Sequence, residues 1–63
     1  MKLIDIINRL DTTTMVVTQI EAYGIKFKAE HYPEYYLSQN DELLEKEVIA
    51  LYVSEDKLHL NLN

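Results

Sequence analysis

The chain reads as a small α+β domain: a short N-terminal helix packed on a mainly antiparallel four-stranded sheet, in the order α-β-β-α-β-β. Three observations lead there. A helically spaced apolar stripe opens the sequence, segments of alternating apolar and polar residues follow, and a proline-led stretch interrupts them midway. With 63 residues there is room for one hydrophobic core, so residues 1–63 form a single domain. The chain has no cysteine, which excludes a disulfide staple and a thiolate zinc site. Stability must then come from well-matched packing or from self-association.

The first helix spans Lys2 to Leu10. Leu3, Ile4, Ile7 and Leu10 recur at helical spacing, while Asp5, Asn8 and Arg9 face the other way. Asp5 and Arg9 are four residues apart with the acid first, a pair that supports a helix. Ile6 lies off the stripe. It either widens the buried margin or serves as a contact between two copies. Such a helix is too short to persist alone in water and needs a sheet to lie on.

Asp11-Thr12-Thr13-Thr14 ends the helix, because polar and β-branched residues favour turns and extended backbone. A strand runs from Thr14 to Ile20 with Val16, Val17 and Ile20 as its apolar content. Ala22-Tyr23-Gly24 reads as a tight reversal at the only glycine. Ile25 to Glu30 alternates strictly, which points Ile25, Phe27 and Ala29 at the core and Lys26 and Lys28 at water.

His31-Tyr32-Pro33 closes that strand, since the residue before proline avoids helical backbone. Pro33 suits the first turn of a short helix through Leu37, and Asn40-Asp41 suits the cap of another through Glu45. Val48 to Val53 is the third strand. After the polar turn Ser54-Glu55-Asp56-Lys57, Leu58, Leu60 and Leu62 alternate with His59 and Asn61 to give the fourth. The two pairs of consecutive strands form antiparallel hairpins, and the face opposite the helix is left mixed in character.

Eleven acids against six bases give a net charge of −5. That balance repels a phosphate backbone and an anionic membrane surface, so direct nucleic-acid and membrane binding are not expected. Lys26 and Lys28 are the one local basic pair and read as a solvated strand face or an edge guard. No apolar run approaches the length of a spanning helix or a signal segment, which points to a cytoplasmic protein. The apolar share of 48% is too high for a disordered tail.

Catalytic signatures are missing. His31 and His59 lie far apart in sequence and form no close metal-ligand pair. His31, beside Glu30 and Glu34, has the neighbours of an acid, base or ligand, but also those of an ordinary surface histidine. One glycine cannot build a phosphate loop, and Ser38 and Ser54 lack the setting of a nucleophile. A domain this small has little room for a pocket of some 300 Å³. No catalytic residue, metal ligand or cofactor is assigned, and the chain is not expected to be an enzyme.

Tyrosine is the compositional excess, with five in the chain. Tyr32, Tyr35 and Tyr36 surround Pro33. A tyrosine ring buries much apolar area and keeps a hydroxyl at its tip, which suits both a core margin and a protein contact. Glu42, Glu45 and Glu47 add an acidic stretch after them, either a solvated helix face or part of the same binding surface. These six residues are the candidate protein-interaction site.

The opening Met1 to Leu10 is followed by Thr12-Thr13-Thr14-Met15-Val16, the proline-led turn at Tyr32-Pro33, Glu47-Val48-Ile49 and the terminal Asp56 to Leu62. This succession resembles small uncharacterised proteins of phages and mobile elements from Gram-positive bacteria. The chain departs from them in its tyrosine-rich segment and in the stretch from Ser38 to Lys46. The resemblance implies an accessory protein that acts by binding a host or phage protein, and it carries no catalytic residue to transfer. Small acidic phage proteins include anti-CRISPR inhibitors and mimics of DNA charge.

Two functions follow. One is a small acidic protein-interaction module, a homodimer in solution, whose seam is the mixed sheet face or the edge of the last strand. The other is an acidic inhibitor that fills a basic channel of a bacterial nuclease. The first implies an aromatic contact insensitive to salt, the second a carboxylate array whose affinity falls with salt.

Overall fold

A computed structural model of the protein describes residues 1–38 and 41–63. It is an α+β fold in which short helices lie on one face of a mixed four-stranded sheet. The elements are α1 (Leu3–Ile7), β1 (Val16–Ala22), β2 (Ile25–His31), α2 (Pro33–Leu37), α3 (Asp41–Leu44), β3 (Val48–Ser54) and β4 (Lys57–Leu62). The strand order is β2-β1-β4-β3. Both hairpins are antiparallel as expected, and the central pair β1–β4 is parallel. The last strand therefore lies inside the sheet, and its edge cannot be a seam. β2 and β3 thus lie at opposite edges of the sheet, and β4 returns beside β1.

The helix ends earlier than the stripe implies. The backbone amides of Arg9 and Leu10 bond to the carbonyls three residues back, so Asn8 to Leu10 tighten into a turn. The Lys2 amide donates to Asp5 Oδ2 at 3.0 Å, which satisfies a free donor at the helix start. The Leu3 amide donates to the Lys46 carbonyl at 2.9 Å and Val48 donates to Met1 at 2.8 Å, tying the N-terminus to the entry of β3. Ile6 is buried with Leu3 and Ile7, so it widens the core margin and is not a contact between copies. The side of the helix that meets the sheet is broader than a single stripe.

The register puts two kinds of row on the two faces. On the helix-bearing face, Ala29, Thr18, Leu60 and Leu51 form one cross-strand row, and Phe27, Ile20, Leu62 and Val48 the next. The helices cover the middle of these rows. Leu60, Val16 and Leu62 on the two central strands are buried with Leu3, Ile7, Tyr36 and Leu44. Phe27 stands on this face at the β2 edge but is 54% exposed, and Ile25 is likewise exposed. The alternation at Ile25, Phe27 and Ala29 names the correct face. It does not give burial, because the helix layer is narrower than the sheet.

The opposite face carries Glu30, Val17, His59 and Tyr52 in one row and Lys28, Gln19, Asn61 and Ala50 in the next. Val17 is buried there without any helix above it. Its row-mates flank it, and Lys57 bridges to Glu30 over the same end of the sheet. His59 is half-buried rather than solvent-facing. It stacks on Tyr52 at 4.8 Å between ring centroids and lies 3.2 Å by Nε2 from the Ser54 carbonyl. Both hairpins turn through two residues with positive φ, Tyr23-Gly24 and Glu55-Asp56, the backbone that matches strand twist. No helix among the described residues is long and apolar enough to cross a membrane. The cap expected at Asn40 lies outside the described residues.

Candidate functional site

The site forms where β2 hands over to α2. Tyr32 is extended (φ −73°, ψ 158°), and Pro33 sets the first turn of the helix. The chain bends sharply there, so His31 before the proline meets Tyr35 after it. Their rings stack with centroids 3.5 Å apart and planes 19° from parallel. Tyr36, the next residue around the helix, points the other way. It is fully buried and meets both His31 and Tyr35 edge-on at 5.8 Å.

Tyr36 anchors this corner to the core. Its hydroxyl donates to the Val16 carbonyl at 2.8 Å and lies 3.4 Å from the Thr18 hydroxyl. With its one proton on Val16, the phenol accepts from Thr18. Burial pushes the Tyr36 phenol up from its ordinary pKa, so it stays a donor at neutral pH. A hydroxyl in that position cannot reach a partner. The three tyrosines therefore divide: Tyr36 belongs to the core, while Tyr32 and Tyr35 are exposed.

Tyr32 and Tyr35 line an open depression of about 550 Å³ with Met15, Glu30, His31, Glu34 and Ser38. The size expected to be out of reach for so short a chain is present, because the hollow lies on the surface and takes no volume from the core. Glu30 is held by Lys57, and the Lys57 hydrogen bond is the main reason its carboxyl pKa is lowered from the ordinary glutamate value. The same bond raises the Lys57 ammonium. Glu34 makes no ion pair among the described residues. Ser38 Oγ donates to the Tyr35 carbonyl at 2.7 Å, which fixes the last turn of α2.

The acidic candidates lie elsewhere. Glu42 is exposed on α3. Glu45 pairs with Lys2 Nζ at 2.5 Å, and this hydrogen bond is the main cause of the raised Lys2 pKa. Glu47 pairs with the Met1 amino group at 2.9 Å. None of the three lines the depression. The fold thus separates the six sequence candidates into a core residue, an aromatic hollow and a set of acids, two of which have intramolecular cations.

Sequence reasoning placed His31 beside Glu30 and Glu34 but not against Tyr35, and it missed Met15 and Ser38. The spacing His31-x-Pro33-x-Tyr35 is the signal for the stack, since a proline-started helix folds the flanking residues together. Met15 precedes β1 and is remote in sequence, so only strand pairing brings it in. Among the described residues no group of three histidine or acidic side chains is arranged to hold a metal ion. No family model, curated protein or solved structure matches the chain.

Proposed function

We propose that this chain is a small protein-interaction module, a binding protein and not an enzyme, which receives a partner's side chain in the hollow between Tyr32 and Tyr35. One observation carries the reading. Two large rings, Tyr32 and Tyr35, stay exposed on a depression whose lining residues His31 and Tyr35 pack edge-on against the fully buried Tyr36. Rigid aromatic contacts with little entropy left to lose are the usual centre of a protein interface. Glu34 and the net charge of −5 favour a basic side chain there, since an ammonium or guanidinium is attracted to both a carboxylate and a ring face. An accessory role in a phage or mobile element belongs to the same proposal and rests on the sequence resemblance, and action in the cytoplasm belongs to it on the apolar pattern of the sequence.

The nuclease-inhibitor reading has less support. A mimic of phosphates needs unpaired carboxylates in a row, and Glu45, Glu47 and Glu30 each have an intramolecular cation.

An affinity capture from bacterial lysate at low and high salt tests the proposal, followed by NMR titration of the captured protein. The bound protein should survive high salt, perturb amides from Glu30 to Ser38, and be lost from the double variant Tyr32→Ala/Tyr35→Ala. Tyr36 is left intact, because removing it would disturb the core. Capture of a nuclease that salt releases and that neutralising Glu42, Glu45 and Glu47 abolishes would establish the inhibitor reading instead.

A further inference from the structure

The two edges of the sheet are built differently. β2, at one edge, carries Lys26, Lys28 and Glu30 at alternate positions, the pattern that keeps an edge from pairing. β3, at the other, reads Val-Ile-Ala-Leu-Tyr-Val-Ser with no charge at all. Leu51 is 54% exposed and Val53 73%, both on the helix-bearing face beyond the reach of the helices. The N-terminus shields only the start of this edge, through the Val48 amide to the Met1 carbonyl. A bulge then shifts the register between Val48 and Ala50. From Ala50 to Ser54 the outer side has no neighbouring strand among the described residues.

The direction of the backbone groups follows from the hairpin. A two-residue turn at Glu55-Asp56 makes Ser54 and Lys57 the closing hydrogen-bonded pair, so Tyr52 and Ala50 also bond inward to β4. The amides and carbonyls of Leu51 and Val53 point outward. Around Tyr52 the segment is a palindrome of side-chain type: Ala50 and Ser54 are small, Leu51 and Val53 are branched and apolar. A two-fold axis through Tyr52 therefore sets Leu51 opposite Val53 of a second copy, in both directions, with Tyr52 opposite itself. The outward backbone groups of Leu51 and Val53 are all matched, and the paired segment from Ala50 to Ser54 brings no charged residue opposite another although each copy carries −5.

We propose that β3 pairs antiparallel with β3 of a second copy, centred on Tyr52, to make one continuous eight-stranded sheet. The two bare strips of Leu51 and Val53 cover each other between the two helix layers. The contact is a short strand and a few side chains, smaller than the roughly 800 Å² per partner of a standard interface, so the dimer is a weak one that forms with rising concentration. Because β2 and β3 are opposite edges, the tyrosine hollow stays free in both copies, and the dimer presents two of them.

Sedimentation equilibrium of the full chain from micromolar to millimolar concentration tests this. The wild type should pass from 7.4 kDa to twice that mass. The Val53→Pro variant should stay folded by circular dichroism and remain monomeric, because the amide it removes bonds only to the second copy. Val53→Lys provides the same test if proline disturbs the hairpin. The chain has no cysteine, so a Tyr52→Cys variant oxidised in air reports the register directly. It should cross-link to a covalent dimer far faster than Tyr23→Cys, although position 23, on the other hairpin, is the more exposed of the two (101% against 46%). A wild type that stays at 7.4 kDa throughout overturns the proposal. So does a dimer that persists in both Val53 variants, or slow cross-linking at position 52. These outcomes leave the tyrosine hollow untouched, since its capture assay reads Tyr32 and Tyr35.

Discussion

The Tyr36 hydroxyl lies among apolar side chains, where a polar group left without a partner costs about 1–3 kcal/mol. It is not left so: it donates to Val16 and stands within reach of Thr18, the one buried polar side chain on β1. Thr18 interrupts the apolar pattern of the strand for this reason. The substitution Tyr36→Phe should cost about 1–2 kcal/mol, the loss of that pairing without loss of the ring. Urea melts measure it, and an unchanged midpoint would show that the hydroxyl contributes nothing. The variant should also alter the alkaline limb. The folded phenol holds its proton above the ordinary value of 10.0, so its contribution is complete below that pH. It is lost as pH rises through the folded pKa. Tyr36→Phe should therefore lose less stability between neutral and strongly alkaline pH than the wild type.

Strand β2 and the helix layer together explain why a regular alternation misleads. Ile25, Phe27 and Ala29 do share the helix-bearing face, but α1, α2 and α3 are short and sit over β1 and β4. An edge strand under so narrow a cover keeps its apolar side chains half in water. Replacing Phe27 by alanine should then cost only about 1 kcal/mol, against the 3–5 kcal/mol of a fully buried phenylalanine. Leu60→Ala, on the central strand β4, should cost about 2–5 kcal/mol and come close to unfolding a domain of this size. Chemical denaturation of the two variants side by side checks the order. A larger loss at Phe27 would mean that the helices reach the β2 edge.

The core draws Leu3, Ile6 and Ile7 from α1, Val16 from β1, Tyr36 from α2, Leu44 from α3 and Leu60 and Leu62 from β4. Neither hairpin owns enough of it to stand alone, and the parallel β1–β4 pairing joins them through the middle of the sheet. The whole chain should unfold in a single cooperative step. Tyrosine fluorescence, which samples both halves, and far-ultraviolet circular dichroism should trace the same urea transition. Two separated transitions would mean that the hairpins hold independently. At the acid end, the Glu30–Lys57 bridge ties β2 to β4. Its contribution is present above the ordinary glutamate value and fades as pH falls through the lowered pKa of Glu30.

Local pattern was sufficient for the existence of the N-terminal helix though not for its early end at Ile7, for four strands in the right order along the chain, for both hairpin turns and for the proline-started α2. Each of these depends on neighbours within a few residues: apolar spacing, a glycine at positive φ, a proline at a first helical turn. What spacing could not supply was anything set by residues far apart. The parallel meeting of β1 and β4 put the last strand inside the sheet and left β3 at its edge. The narrowness of the helix layer exposed Phe27, while the broad buried side of α1 took in Ile6. Three adjacent tyrosines looked alike in sequence, yet packing against Val16 and Thr18 took Tyr36 inside and left Tyr32 and Tyr35 out. Burial depends on which element lies above a residue, and that choice is made by the whole chain closing on one small core.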